Sequence, residues 1–190
     1  MIISIALMVG RLRVNGLIMA GGKGRRIGDP LKFFRPLGDK TVIDILIDDV
    51  KGLVDRIYVC GGKILHTHEW DDKVTVVETP GDGYVNDLGK CLRSNLTMPV
   101  LVLPADLFIL DLEALHSFVR ESLKGGDQLV SFLQNGELVG ISLFKSAGYA
   151  SDPLRYRNYY FSGRAFININ TEEDYSSAVL AWKRREANQS

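Results

Sequence analysis

The sequence predicts an α/β fold, a Rossmann-like and mostly parallel sheet flanked by helices, and three observations carry that prediction. From Arg13 onward, short apolar runs rich in branched residues alternate with stretches of helical spacing, the pattern of strand-helix repeats. The first runs are continuously apolar, as strands covered on both faces are. The length of 190 residues suits one core, and no internal repeat or low-complexity linker divides it.

Taken in order, candidate strands cover residues 14–19, 56–60, 74–78 and 100–104. Between the first two, residues 42–53 place Val42, Ile43, Leu46, Ile47, Val50 and Leu53 on one helical face, with Asp44, Asp48, Asp49 and Lys51 outside. A helix starts near Val85, after the third strand. Residues 112–123 repeat the helical spacing through Leu112, Leu115, Val119 and Leu123. Two later strands, residues 129–133 and 138–144, flank the turn dipeptide Asn135-Gly136, which favours a hairpin. Thr171, followed three residues later by Asp174, caps a last helix over residues 171–185. Residues 1–12 read as an N-terminal extension and residues 13–190 as one domain. The apolar part of the extension is too short to span a bilayer, and its positive charges follow the apolar run.

Composition narrows the function. Hydrophobic residues at 46%, charged at 24% and aromatic at 9% belong to a soluble globular chain. With 23 Lys and Arg against 23 Asp and Glu, no global positive field exists to hold a nucleic acid. Cys60 and Cys91, without CxxC or zinc-type spacing, read as small buried hydrophobes in a reducing, cytoplasmic setting.

The most informative stretch is Ala20-Gly21-Gly22-Lys23-Gly24-Arg25-Arg26-Ile27-Gly28, directly after the first strand. Glycines let backbone amides approach an anion, and Lys23, Arg25 and Arg26 can neutralise phosphates. A phosphate cradle is the direct reading; a plain strand-to-helix turn with solvated charges is the other. The glycine spacing is neither that of a Walker loop nor that of the dinucleotide fingerprint.

This loop, with Lys32 and then Pro36-Leu37-Gly38 leading into Ile43-Asp44, resembles the opening of nucleotidyltransferases of the molybdenum-cofactor guanylyltransferase and sugar-nucleotide pyrophosphorylase type. The resemblance implies a nucleotide-diphospho-sugar transferase-like fold. It also implies that the loop wraps a triphosphate, that Arg26 holds the phosphates and that Lys32 lies near the reacting α-phosphate. Phe33 stands where the family usually has Pro. Two further stretches, Gly81-Asp82-Gly83-Tyr84-Val85-Asn86-Asp87-Leu88 and Phe166-Ile167-Asn168-Ile169-Asn170-Thr171-Glu172-Glu173-Asp174, resemble the archaeal adenosylcobinamide-phosphate guanylyltransferases. That branch implies GTP as donor, adenosylcobinamide phosphate as acceptor and magnesium as cofactor; a homodimer is compatible with it.

Asp106 follows the buried run Val100-Leu101-Val102-Leu103-Pro104-Ala105. It should emerge at the carboxyl end of the sheet, where open α/β folds bind ligands. The resemblance makes it a magnesium ligand, which suits a hard carboxylate; capping the next turn is the alternative. Asn170 is the second expected metal contact by resemblance, ahead of Asn168, with capping of the last helix as the alternative. Gly81, Asp82, Gly83, Tyr84 and Asp87 form the expected base site, where a carboxylate from Asp82 or Asp87 could accept from the N1 and amine of guanine; acidic residues at a helix start explain the same pattern. His66-Thr67-His68-Glu69 reads as a solvated connection. The stretch from Tyr156 to Tyr160, with Arg155 and Arg164, reads either as the lining of an acceptor opening or as a surface loop.

Overall fold

A computed structural model of the chain describes residues 13–21, 31–94, 96–146 and 154–188. Its centre is a seven-stranded sheet in the order β10-β8-β9-β6-β1-β4-β5. Four strands form the parallel block: β1 (Asn15–Ala20), β4 (Ile57–Gly61), β5 (Val74–Glu78) and β6 (Val100–Pro104). Each lies within a residue of its sequence expectation. Every residue of β1 is buried, because the strand is central and covered on both faces. Ile18 and Ala20 face one core cluster with Val59, Leu101 and Leu103. Leu17 and Met19 face the other with Cys60, Cys91 and Val102.

Register positions the site. Ala20 lies beside Gly61, Gly61 beside Glu78, and Met19 beside Pro104, so the four carboxyl ends finish together at one edge. Gly61 makes this close approach feasible, since a Cβ there would stand 2.5 Å from the Ala20 carbonyl oxygen.

Among the described residues the α-helices are α1 (Val42–Val50), α2 (Tyr84–Arg93), α3 (Leu112–Ser122) and α4 (Glu172–Ala187). Thr41 begins α1 with a capping box completed by Asp44. The predicted apolar stripe of α1 is buried, and so is Ile45, which lay outside it. The reason is a third cluster in which Val42 and Ile45 meet Phe108, Ile167, Ile169 and Ala178, so α1 is covered by α4 as well as by the sheet. Asp49, expected outside, turns to Arg185 of α4. In α3, Leu115 and Val119 are buried as expected, but Leu112 is exposed at the helix start and Phe118 takes its place in the core.

The second half of the sheet corrects the sequence reading. The strands β8 (Leu129–Gln134) and β9 (Glu137–Phe144) form the expected hairpin across Asn135-Gly136. The stretch read either as the lining of an acceptor opening or as a surface loop is an edge strand, β10 (Tyr156–Phe161), parallel to β8. Its Tyr159 and Phe161 pack around Phe132. Two short antiparallel pairs complete the fold: β2 (Pro36–Leu37) with β3 (Lys40–Thr41), and β7 (Leu107–Ile109) with β11 (Phe166–Asn168).

The cysteine expectation is also overturned. Cys60 and Cys91 are joined by a disulfide, with Cα atoms 6.7 Å apart. The end of β4 and the third turn of α2 meet in one buried cluster, a tertiary proximity that residue spacing does not encode. The cysteine argument for a reducing compartment falls with it. Among the described residues, no helix is long and apolar enough to cross a membrane.

Candidate active site

The glycine-rich loop enters from the end of β1. Ala20 is buried there and Gly21 is exposed. Gly22, Lys23, Gly24, Arg25 and Arg26 lie outside the described residues, so their expected phosphate contacts have no geometry here.

Lys32 opens a 3-10 turn, Lys32–Phe34, after that loop. Phe33, the departure from the family pattern, is buried in the main core and anchors the turn. Phe34 stacks against His68. With the backbone so held, the Lys32 side chain reaches residues that are remote in sequence. Its Nζ donates to Asn170 Oδ1 at 2.8 Å and forms an ion pair with the carboxylate of Asp106. The side chains of Lys32 and Asp106 are each 17% exposed, so the pair is shielded yet reachable from solvent.

The partners are placed by the β6-to-β7 turn and by the approach to α4. Asp106 sits in that turn, and its carbonyl accepts from Ile169 N at 2.9 Å. The chain runs from Asp106 straight into β7, and the next helix, α3, is capped by Asp111, which accepts from Ala114 N. Asn170 is fixed by its own amide, which donates to Asp174 Oδ2 at 3.0 Å, while Thr171 caps α4 by accepting from Asp174 N. Asp174 was legible only as a helix cap; its hold on Asn170 was not. Asn168 separates from Asn170, donating its Nδ2 to the Val139 carbonyl and leaving Oδ1 buried without a hydrogen-bond partner among the described residues.

The loop from Gly81 to Tyr84 lies beyond β5, with Gly81 and Gly83 at positive φ. Asp87 is only 5% exposed. Its Oδ1 accepts from Gly81 N at 3.3 Å, and its Oδ2 faces Gly21. Asp87 therefore holds the Gly81 turn from within α2, whereas Asp82, Tyr84 and Val85 are exposed. His66 and His68 do not share a partner: His66 Nε2 meets Glu78 at 3.1 Å and His68 Nε2 meets Asp44 at 2.9 Å. Among the described residues, no group of three or more His, Cys, Asp or Glu could hold a metal ion.

The arrangement gathers a lysine, a carboxylate and an amide oxygen at the carboxyl ends of parallel strands. Residues 16–170 match the model of the MobA-like NTP transferase domain. The chain belongs to that family of nucleotidyltransferases. It is 30% identical over 115 residues to the adenosylcobinamide-phosphate guanylyltransferase of Methanocaldococcus jannaschii, covering 56% of this chain and 58% of that one. It is 38% identical over 58 residues to the molybdenum cofactor guanylyltransferase of Desulfosudis oleivorans, covering 30% and 29%. The chain thus spans little more than half of the first relative's length and under a third of the second's. In fold it is similar to the inositol-1-phosphate CTP transferase of T. maritima, with a TM-score of 0.70 at 12% identity over 92% of this chain and 97% of that one.

Proposed function

We propose that the chain transfers GMP from GTP to adenosylcobinamide phosphate, giving adenosylcobinamide-GDP and pyrophosphate in cobamide assembly. The observation that carries the transfer reading is the meeting of Lys32, Asp106 and Asn170 at the sheet's carboxyl edge, next to the start of the glycine-rich loop. An oxygen of the acceptor phosphate attacks the α-phosphorus of GTP, and the bond to the pyrophosphate oxygen breaks. No covalent enzyme intermediate is needed, because such a transfer requires positioning and charge neutralisation more than acid-base chemistry.

In this reading the loop residues take their roles from the sequence motif, and Lys32, Asp106 and Asn170 from the motif and their meeting. The amides of Ala20, Gly21, Gly22 and Gly24 and the cations Lys23, Arg25 and Arg26 hold the triphosphate, and Arg26 and Lys32 offset charge at the reacting phosphates. Asp106 and Asn170 would hold magnesium. Their oxygens are hard donors and already converge on one cation, the Lys32 ammonium, so the donor set fits. Magnesium bound there supplies neutralisation of phosphate charge as a Lewis acid. Gly81, Asp82, Gly83 and Tyr84 form the base site; Asp82 is its exposed carboxylate and Asp87 holds its shape. The named activity of the Methanocaldococcus jannaschii relative supports the guanine and cobinamide halves, and a cytoplasmic setting goes with the same reading.

The test is to incubate the protein and magnesium with each of the four nucleoside triphosphates and a panel of acceptor phosphates while following pyrophosphate release. Release should require GTP and be fastest with adenosylcobinamide phosphate. Release only with molybdopterin or a sugar phosphate would remove the cobamide assignment, and no release with any acceptor would remove the transferase reading.

A further inference from the structure

We infer that Lys32 is a built-in stand-in for the divalent cation: its ammonium holds Asp106 and Asn170 in the ligand-free protein, and it must leave those oxygens when the metal arrives. The inference rests on the metal reading of Asp106 and Asn170 proposed above.

The geometry supplies the argument. Lys32 Nζ is engaged by the same two side-chain oxygens that would ligate the metal, Asn170 Oδ1 and the Asp106 carboxylate. A shielded carboxylate without a counter-charge is costly to keep, and a compact ammonium with three donors answers that need. A divalent cation on the same oxygens would stand beside the ammonium, and like charges so placed repel strongly at the low effective dielectric of a shielded site. The two cations therefore exclude each other. The backbone of Lys32 is pinned by the buried Phe33, so the exchange requires only that the flexible side chain swing away.

A triphosphate changes this balance. Its negative charge gives the displaced ammonium a new partner and adds oxygen ligands for the metal. Metal and nucleotide consequently enter as a coupled pair, each raising the affinity of the other by the same factor. Lys32 keeps the metal position weak until nucleotide is present and is delivered to the phosphates by the arriving metal.

The experiment is a manganese titration of the nucleotide-free protein, with free ion measured by electron paramagnetic resonance, for the wild type, Lys32→Met and Asp106→Asn. Lys32→Met should bind manganese at least tenfold more tightly than the wild type, and Asp106→Asn at least tenfold more weakly. If Asp106→Asn weakens binding while Lys32→Met leaves it unchanged or weaker, the stand-in role is wrong and the metal reading survives. If Asp106→Asn binds manganese as the wild type does, the metal reading fails and the inference fails with it. A second readout needs no variant: the acylation rate of the Lys32 amine, followed by mass spectrometry, should rise severalfold when wild-type protein is saturated with manganese. An unchanged rate would overturn the exchange.

Discussion

The carbonyl of Asp106 accepts a hydrogen bond from the amide of Ile169 at 2.9 Å, and this contact, next to the β7–β11 pairing, joins the β6-to-β7 turn to the segment that carries Asn170. It helps to place two oxygen donors from distant parts of the chain on one cation, the Lys32 ammonium. Asp106→Asn keeps the shape and the backbone contact but removes the charge. We expect turnover to fall by about 10²–10³-fold, the scale of losing one group that stabilises developing charge. Nucleotide affinity should change much less, because the charge matters most in the transition state. Pyrophosphate-release kinetics beside calorimetric GTP binding check this, and equal losses in both would mark Asp106 as structural.

Asp87 and Asp82 should separate under mutation. Asp87 is buried and accepts from the Gly81 amide, so Asp87→Ala removes a hydrogen bond to a charged group and should cost about 1.5–3 kcal/mol of stability, with weaker GTP binding as the loop loosens. Asp82 is exposed; Asp82→Ala should leave stability unchanged while eroding the preference for GTP over ATP. Urea denaturation and nucleotide competition distinguish the two, and a stability loss at Asp82 would contradict this division of labour.

The buried Cys60–Cys91 disulfide closes a loop across a sequence separation of 31. Reduction should lower unfolding free energy by roughly 2–4 kcal/mol, the usual gain from restricting the unfolded chain. Denaturation with and without a thiol reductant measures it. A Cys60→Ala/Cys91→Ala variant whose stability responds equally to reductant would show that the effect lies elsewhere.

How much of this was legible in the sequence depends on the range of the interaction. The strands of the parallel block and the Thr171 cap are local patterns, and they fall within a residue or two of expectation. Asp106 was legible because a buried strand must release its first polar residue at the sheet's edge. β7 was not, since three residues become a strand only by pairing with β11. β10 hid behind its mixture of tyrosine and arginine, which carries no clean alternation although Tyr159 and Phe161 point inward. The burial of Ile45 on α1 depends on α4 arriving from the far end of the chain. Lys32 was legible as a motif, but its contact with Asn170 spans 138 positions and no spacing rule reaches that far.

Asp49 and Arg185 provide the last prediction. Arg185 donates to both carboxylate oxygens of Asp49, at 2.8 and 3.1 Å, and to the Ile109 carbonyl at 2.6 Å, tying α1 to α4 and β7. Burial pushes the Asp49 carboxyl above its ordinary value of 3.8, and the attraction of Arg185 only partly offsets this. A carboxyl whose folded pKa is raised binds protons more readily in the folded state than in the unfolded one. Its contribution to stability is therefore greatest below 3.8 and declines as pH rises through the raised folded value. The stability of the wild type relative to Asp49→Asn should fall across that interval and level off above it. Arg185→Met strips the shielded carboxylate of its partner, so the decline should steepen and extend to higher pH. It should also cost roughly 1.5–3 kcal/mol at neutral pH, the scale of losing hydrogen bonds to a charged group. Urea denaturation of the three proteins over a pH series provides the measurement. If the wild type and Asp49→Asn show the same pH dependence, burial does not control the ionisation of this carboxyl.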